Sequence, residues 1–585
     1  MEEFDRSLSM DAKQTQQGGR PLSSRDQRRL LALAALVVLV CGLRAVQMAW
    51  LSDDAFISFR YARNLHDGLG LVFNAGEYVE GYTNLLWTLA MAAVLHLGLD
   101  MELMAHVLGI ACWLGLSALL AVWSWQRSRV GGHLCLPLAA LLNLLLEDNQ
   151  RWATGGLETS LFSLLTCAGL LLLAAARTRR RWQFGGGVVL ALACLTRPDG
   201  AIFAALGVIY SYCEGVRAPL GQRLRDACAV ALPLVVTGTV LIAFKLSYYG
   251  EWLPTAFYAK SAFDAYYQQG LLYLWLFFSR NWFALAFLPC ALWLARARLA
   301  QLLTRDNGLW LVAWAAFSYY VVHSAGDFMY ARRLLPALPF LWLLFEAVLA
   351  RVTERRARLG LFCATLLAAA LPRALYSSEA EKIDGIANEW AFYPPAYLAT
   401  SRERGELLGQ LLGDTPVRVG FIGGMAMFAY YSGLPYLAEM NGLTQYSLAR
   451  QPLTARSRVG HEKSADAAWL TSNRIHLLVS PESPPMMEDG HRRFDVIRFG
   501  TTMTARIWIY SDAVMDPLRA RADVDFVPIE TVLAQAEHDI AAASPEAART
   551  ILTFLERYYL TEASPRRAAQ IDHLRQLVAD KNQDP

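Results

Sequence analysis

Two adjacent carboxylates, Asp53 and Asp54, stand where the first long apolar run ends and an amphipathic pattern begins over residues 55–65. Acidic side chains this close to a bilayer are costly and tend to mark a functional site. On a helix of about 3.6 residues per turn, Asp53, Ile57 and Arg60 fall on one face, so a carboxylate and a guanidinium point the same way. A carboxylate so placed can take the proton of an acceptor hydroxyl, while cations stabilise an anionic leaving group. The competing reading is an aspartate N-cap that opens an interfacial helix, with Phe56 and Phe59 dipping into lipid.

Further polar clusters follow. Glu80-Gly-Tyr-Thr-Asn84 opens the next apolar segment; Gly81 suits a tight turn, Thr83 or Asn84 suits a helix cap, and Glu80, Tyr82 and Asn84 are candidate site residues. In the run 151–159, Glu158 opens the next span, where it serves either the site or an ordinary helix dipole. Arg197 and Asp199 lie in Thr-Arg-Pro-Asp-Gly between two short apolar segments, at a break in the backbone, and pair either with a ligand or with each other. Lys260 ends the aromatic loop 248–260, and the loop 323–333 carries His323, Asp327, Arg332 and Arg333. Paired arginines kept on an external face call for an anion, a lipid phosphate being the obvious one; a plain headgroup anchor is the alternative. The sequence contains no Gly-rich phosphate loop after a strand, no H-E-x-x-H and no G-x-S-x-G, so ordinary nucleotide chemistry is unsupported. A divalent metal at the Asp pair is conceivable, but no fixed ligand set argues for one and no cofactor is expected.

The elements that must hold these groups are apolar helices. The 585 residues are 55% apolar and only 18% charged, and the apolar residues come in long runs. A crossing takes roughly 20 of them. The expected class is a polytopic α-helical membrane protein, embedded in the lipid bilayer, with about 11–13 spans. Residues 30–50 form the first span, and 84–98, 103–124, 134–147, 157–176, 184–196, 200–213, 227–248, 269–297, 309–323, 334–350 and 359–375 follow. Residues 1–28 are polar and basic and read as disordered and cytoplasmic. The basic loops 177–181, 217–225, 296–305 and 351–358 belong to the cytoplasmic side, which leaves the first loop, 51–82, and all the polar clusters on the other. One difficulty arises: if 84–98 and 103–124 both cross, the arginines of 126–129 land outside and every later loop inverts.

Residues 29–375 thus read as the membrane domain. From 376 to 585 charges, prolines and turns appear, with strand patterns at 417–422, 475–480, 494–499 and 505–510 and helical patterns over 528–558 and 564–580. This part reads as a soluble α/β domain large enough for its own core. The nine cysteines all precede residue 364 and lack metal-ligand spacing. Nothing in the chain points to a nucleic-acid partner.

Together these features describe an external cavity rimmed by Asp53, Asp54, Glu158 and Asp327 and by Arg60, Lys260, Arg332 and Arg333. The ordered motifs VEGYTN at 79–84, GGLETSLF at 155–162, LTRPDG at 195–200, YYGEWLPTAFYAK at 248–260 and GDFMYARRLLPALP at 326–339 resemble the GT-C glycosyltransferase superfamily. Within it, the likeness is to the family of the mycobacterial terminal β-arabinofuranosyltransferase, with YYSGLPYLAEMNGLT at 430–444 and GHEK at 460–463 extending it into the tail. The resemblance implies a catalytic aspartate in the first external loop, matched by Asp53 with Asp54 beside it. It further implies a polyprenyl-phosphate sugar donor and a periplasmic C-terminal domain. The donor phosphate would then fall to Arg332, Arg333, Lys260 and Arg60, and the acceptor would be an envelope glycan or a protein. At Glu439 the family pattern carries Asp. A glycolipid flippase and a non-catalytic assembly protein are the competing functions; the gathering of polar clusters on one side disfavours the first.

Overall fold

The computed structural model describes residues 24–131, 136–176, 180–214, 218–262, 264–371, 382–421, 424–479 and 495–581. Expectations placed on residues 1–23, 134–135, 177–179, 217, 372–381, 422, 480 and 494 lie outside them. The chain opens with α1 (Ser24–Gln47), α2 (Ala55–His66), α3 (Leu85–His96), α4 (Met101–Gly131), α5 (Leu138–Leu145) and α6 (Glu147–Ala153). Next come α7 (Thr159–Ala176), α8 (Arg180–Thr196), α9 (Gly200–Glu214), α10 (Leu220–Tyr248) and α11 (Thr255–Ala259). The helical part ends with α12 (Tyr267–Arg280), α13 (Trp282–Ala295), α14 (Arg305–His323), α15 (Leu338–Leu349) and α16 (Arg355–Ala370).

Hydropathy fixed most of these boundaries. Two differ from expectation: α1 begins at Ser24, inside the stretch read as unstructured, and the run 269–297 is two helices. The break falls at Asn281, whose φ of −104° and ψ of 45° leave the helical region. Among the described residues, the segments Met101–Ser128, Thr159–Ala176, Leu220–Tyr248 and Trp282–Leu302 are long and apolar enough to cross a membrane, with shorter apolar helices between them. On α10, Val235 and Val240 are 63% and 64% exposed, and Leu232, Val236 and Leu246 lie bare beside them. A continuous apolar surface on a long helix fits lipid, not water. The protein is a multi-pass α-helical membrane protein.

The loop difficulty turns on α3. At twelve residues it is only about 18 Å long, against roughly 30 Å of hydrocarbon. Its first cap, Asn84, bonds Glu158, and at its far end His96 meets His66 of α2 edge to face. Two turns of chain later Glu102 pairs with Arg402 of the C-terminal part. Both ends of α3 therefore lie among the polar clusters, at one end of the bundle. At its other end Arg127 pairs with Asp306 at 2.7 Å, in the company of the basic loops at 296–305 and 351–358.

The C-terminal part contributes a two-stranded ribbon, β1 (Lys382–Ile383) with β2 (Ile386–Ala387), and then the helices α17 (Glu389–Phe392) and α18 (Pro395–Leu412). Its main sheet has six strands, β3 (Arg418–Phe421), β4 (Tyr436–Glu439), β5 (Leu477–Val479), β6 (Val496–Phe499), β7 (Met503–Ile507) and β8 (Val524–Phe526), in the order β4-β3-β5-β7-β6-β8. β4, β3 and β5 are parallel and the rest antiparallel. Between β3 and β4 lies α19 (Ala426–Ser432), which faces α2. The expected helix over 528–558 is two helices, Ile529–Ala542 and Pro545–Tyr558, split where Ser544 caps the second and Pro545 opens it. Phe56 and Phe59, which the competing interfacial-helix reading dips into lipid, are completely buried against Tyr430, with ring centroids 5.5 and 6.3 Å away. The apolar face of α2 is thus covered by the C-terminal domain rather than by the membrane.

Candidate active site

The segment leading into α2 is tied to the loop that carries Glu158. Trp50 donates its indole N–H to the Arg151 carbonyl at 2.8 Å, and Ser52 donates its backbone N–H to the Gly155 carbonyl at 3.0 Å. Gly156 has φ +77°, and a Cβ there would lie 2.7 Å from Leu51 Cδ2 and 3.0 Å from the Ala55 Cβ. The two glycines of GGLE thus let this loop lie flat against the aspartates. Gly156→Ala is expected to destabilise the protein by at least the ~1–2 kcal/mol of a left-handed backbone, with transfer reduced in step; an unchanged melting temperature in detergent would refute this.

Asp53 is 5% exposed, and its two carboxylate oxygens each accept a backbone N–H at 2.9 Å, from Ala426 and Met427 in the first turn of α19. It therefore caps a helix of the C-terminal domain, not its own, whose N-cap position is Asp54 without a side-chain bond. Burial lifts the Asp53 carboxyl to about 7; the two amides pull it down, and neighbouring Asp54 and Glu439 push it up. Asp54 is partly exposed, and among the described residues no donor occupies its carboxylate. It faces a different company: burial raises it, Lys260, Arg332 and Arg458 lower it, and Asp327 raises it. The pair is divided, Asp53 turned toward the C-terminal domain and Asp54 toward cations.

Those cations are held in different ways. Arg332 donates to Glu158 Oε1 at 2.9 Å, and Arg197 donates to the same oxygen at 3.0 Å while gripping Asp199 through both its Nε and Nη2. Asn84 supplies a third donor to Glu158, at 2.9 Å, and accepts from Ser58 one turn beyond Asp54. Burial pushes Glu158 up, but Arg332 and Arg197 outweigh it and hold the carboxyl at about 2. Lys260 lies 5.7 Å from the centroid of Phe328, and among the described residues its ammonium has no carboxylate or hydrogen-bond acceptor on it. Asp327 is 3% exposed with one carboxylate oxygen unbonded. Burial raises this carboxyl, and Lys260, Arg332 and Arg333 more than offset it.

Several expected site residues turn out to be braces. Four of the five N–H groups of the Arg60 guanidinium are spent on the carbonyls of Phe73, Ala429 and Leu434 and on Asn74 Oδ1, which turns it away from the forked grip of a phosphate. Glu80 pairs with Lys245 of α10 at 2.8 Å, and Tyr82 shares a hydrogen bond with Tyr249. Arg333 donates to the Gly326 carbonyl at 2.6 Å and closes its own loop. His323 ends α14 and meets Tyr267 edge-on at 5.5 Å. Arg60, Glu80, Tyr82 and His323 thus brace the walls around the aspartates, whereas Arg333 also lowers the Asp327 carboxyl.

Sequence reasoning missed Glu389 and Arg458. They pair at 3.1 Å, and Arg458 lies 4.6 Å over the Phe328 ring. Burial raises Glu389 to about 7, with Arg458 lowering it and Asp54 and Asp327 raising it, which places the pair at the same cluster. His461, beside Phe328, is held at about 4 by burial and by Arg458. The available signal was GHEK at 460–463, two residues past Arg458. Glu439 folds its carboxylate onto the amides of Asn441 and Leu443, at 2.9 and 2.7 Å. A cavity of about 540 Å³ adjoins Arg458, with Gln268, Gln269, Asp384 and Ser457 giving it a polar wall.

Carboxylates and cations thus gather at one end of a helical bundle, under an appended α/β domain. ArnT from Cupriavidus metallidurans bound to undecaprenyl phosphate shares this fold, with a TM-score of 0.51 over 77% of this chain and 93% of that one, at 14% identity. In sequence the chain is similar to the terminal beta-(1->2)-arabinofuranosyltransferase of Corynebacterium glutamicum, 30% identical over 349 residues, which are 52% of this chain and 49% of the relative. The protein of the same name from Mycobacterium tuberculosis is 29% identical over 259 residues, 42% of this chain and 40% of its own. The chain thus spans about half or less of the length of the curated relatives it matches. No protein-family model matches it.

Proposed function

We propose that this chain is a glycosyltransferase that moves a sugar from a polyprenyl-phosphate carrier to a hydroxyl of an envelope glycan or a protein, on the periplasmic face of the bacterial inner membrane. The observation that carries the reading is the divided aspartate pair, with one carboxylate toward the C-terminal domain and the other beside Lys260, Arg332 and Arg458. In the proposed step, Asp53 takes the acceptor proton as the acceptor oxygen bonds to the anomeric carbon. The bond from that carbon to the phosphate oxygen breaks, and Lys260 and Arg332 hold the departing phosphate. Asp54 orients the sugar between them. A carboxyl at about 7 suits a base working near neutrality. Arabinofuranose, the sugar in the names of both relatives, is the proposed donor sugar. No resident cofactor takes part.

The proposed topology places the N-terminus in the cytoplasm and counts eleven crossings. They are α1, α4, α5 with α6, α7, α8, α9, α10, α12 with α13, α14, α15 and α16, with α3 lying on the outer face. The count is odd, so the C-terminal domain falls on the side opposite the N-terminus. The test is a proteoliposome assay with a polyprenyl-phosphate pentose and an added glycan acceptor. Sugar should appear on the external acceptor without net movement of lipid across the bilayer; lipid translocation without transfer would sink the proposal and favour a flippase.

Glu439 gives a second check. Because its charge raises Asp53, Glu439→Gln should move the acid limb of the pH–rate profile to lower pH. A limb that stays put would separate Glu439 from the base.

A further inference from the structure

At the end of the bundle opposite the aspartates, a cavity of about 680 Å³ lies among the end of α4, the start of α14, the end of α15 and the start of α16. Arg127, Arg351 and Arg358 converge on it from three separate segments, above an apolar floor that includes Trp123 and Trp310. Their partners are few. Arg127 neutralises Asp306, which also accepts from the Tyr210 hydroxyl at 2.8 Å. The other acid at the cavity, Glu346, is turned to Ser124 Oγ at 2.9 Å and to the Ala139 amide at 3.1 Å. Arg351 has one long hydrogen bond, 3.4 Å to the Gln301 carbonyl, and among the described residues the Arg358 side chain has none. The Nε of each is buried without an acceptor. Burial lowers the Arg351 pKa, and repulsion from Arg127 and Arg298 lowers it further.

Basic loops on one face of a membrane protein are ordinarily explained by orientation alone. That explanation asks only for positive charge near the surface. It does not ask for two guanidiniums to be drawn inward, beside a third, around an unfilled space. A forked cation with buried, unused N–H groups is matched by phosphate oxygens, and basic pockets between membrane helices suit anionic lipid headgroups. The apolar floor suits the glycerol and the first methylenes of a lipid. We infer that this cavity binds the headgroup phosphate of an anionic phospholipid, at a second lipid site separate from the proposed transfer site.

The full chain, purified in detergent and mixed with equal amounts of phosphatidylglycerol and phosphatidylcholine, would be examined by native mass spectrometry. The wild type should retain phosphatidylglycerol preferentially. The double variant R351A/R358A should retain it about 30-fold less tightly, the factor that two such basic contacts carry together. R355A/R356A removes the same two charges from exposed positions on the neighbouring turn and should bind like the wild type. Equal loss in both double variants would reduce the arginines to orientation signals and overturn the inference. So would retention by R351A/R358A, or an absence of lipid preference in the wild type. Displacement of the lipid by inorganic phosphate alone would assign the same cations to a free anion and overturn the lipid reading. Should R351A/R358A fail to fold, Arg351→Gln and Arg358→Gln taken singly carry the same comparison.

Discussion

Asp53→Asn should lower sugar transfer by about 10²–10⁴-fold, the range that a positioned proton acceptor contributes, with the protein still inserted and still binding donor. Donor binding is expected to survive because the phosphate-facing cations answer to Asp54, Asp327 and Glu158 rather than to Asp53. Full transfer in the variant would remove Asp53 as the base. The wild-type rate should also fall as pH drops below about 7, where burial holds the Asp53 carboxyl. Glu389 and Glu439 sit at about 7 as well, so the limb reports a coupled set and not one residue. Stability runs the other way. A carboxyl raised from 3.8 to about 7 on folding binds its proton more tightly in the folded state. Its contribution is complete below the lower value and is lost as pH rises through the upper one.

The largest stability effect should come from Glu158→Gln. Glu158 is 1% exposed and joins two arginines that are themselves largely buried. Removing the shared carboxylate leaves Arg332, among the described residues, with no carboxylate in hydrogen-bond contact and only the more distant Asp54 and Asp327, and leaves Arg197 with Asp199. Breaking a buried pair in this way costs about 3–5 kcal/mol, because the partner charge stays buried and uncompensated. Thermal unfolding in detergent measures it. Donor affinity should fall together with stability, since Arg332 loses the oxygen that aims it. A variant that melts with the wild type would show that Arg332 is oriented by Thr159 and Met329 instead.

The sequence made the helices legible and left their partners obscure. Residues 157–176 and 227–248 announce α7 and the far end of α10, because lipid demands long apolar runs. The same reasoning could not tell that α3 stops short, since a twelve-residue apolar run reads alike in a half-span and in a buried helix. Arg60 misled for a different reason. Its ligands are backbone carbonyls of residues 73, 429 and 434, and a carbonyl has no sequence signature. The amides of Ala426 and Met427 on Asp53 are silent in the same way. Glu389 and Arg458 were missed because each is one charge among several in a polar tail, and 69 residues separate them in the chain. Asp199 was read correctly as a candidate partner of Arg197 because the two are close in the chain.

The strap between α2 and α19 bears on how chains of this fold can be recombined. Asp53 and Arg60 stand on one edge of α2, and both reach across to residues 426–434. A C-terminal domain grafted from a relative would bring its own residues to that seam. A hybrid joined at the chain boundary near residue 376 would therefore inherit mismatched partners for Asp53, the proposed base, even with every membrane residue intact. The natural unit of exchange is the tail together with α2. In a library of such hybrids, those that keep both sides of the seam from one parent should be the active ones.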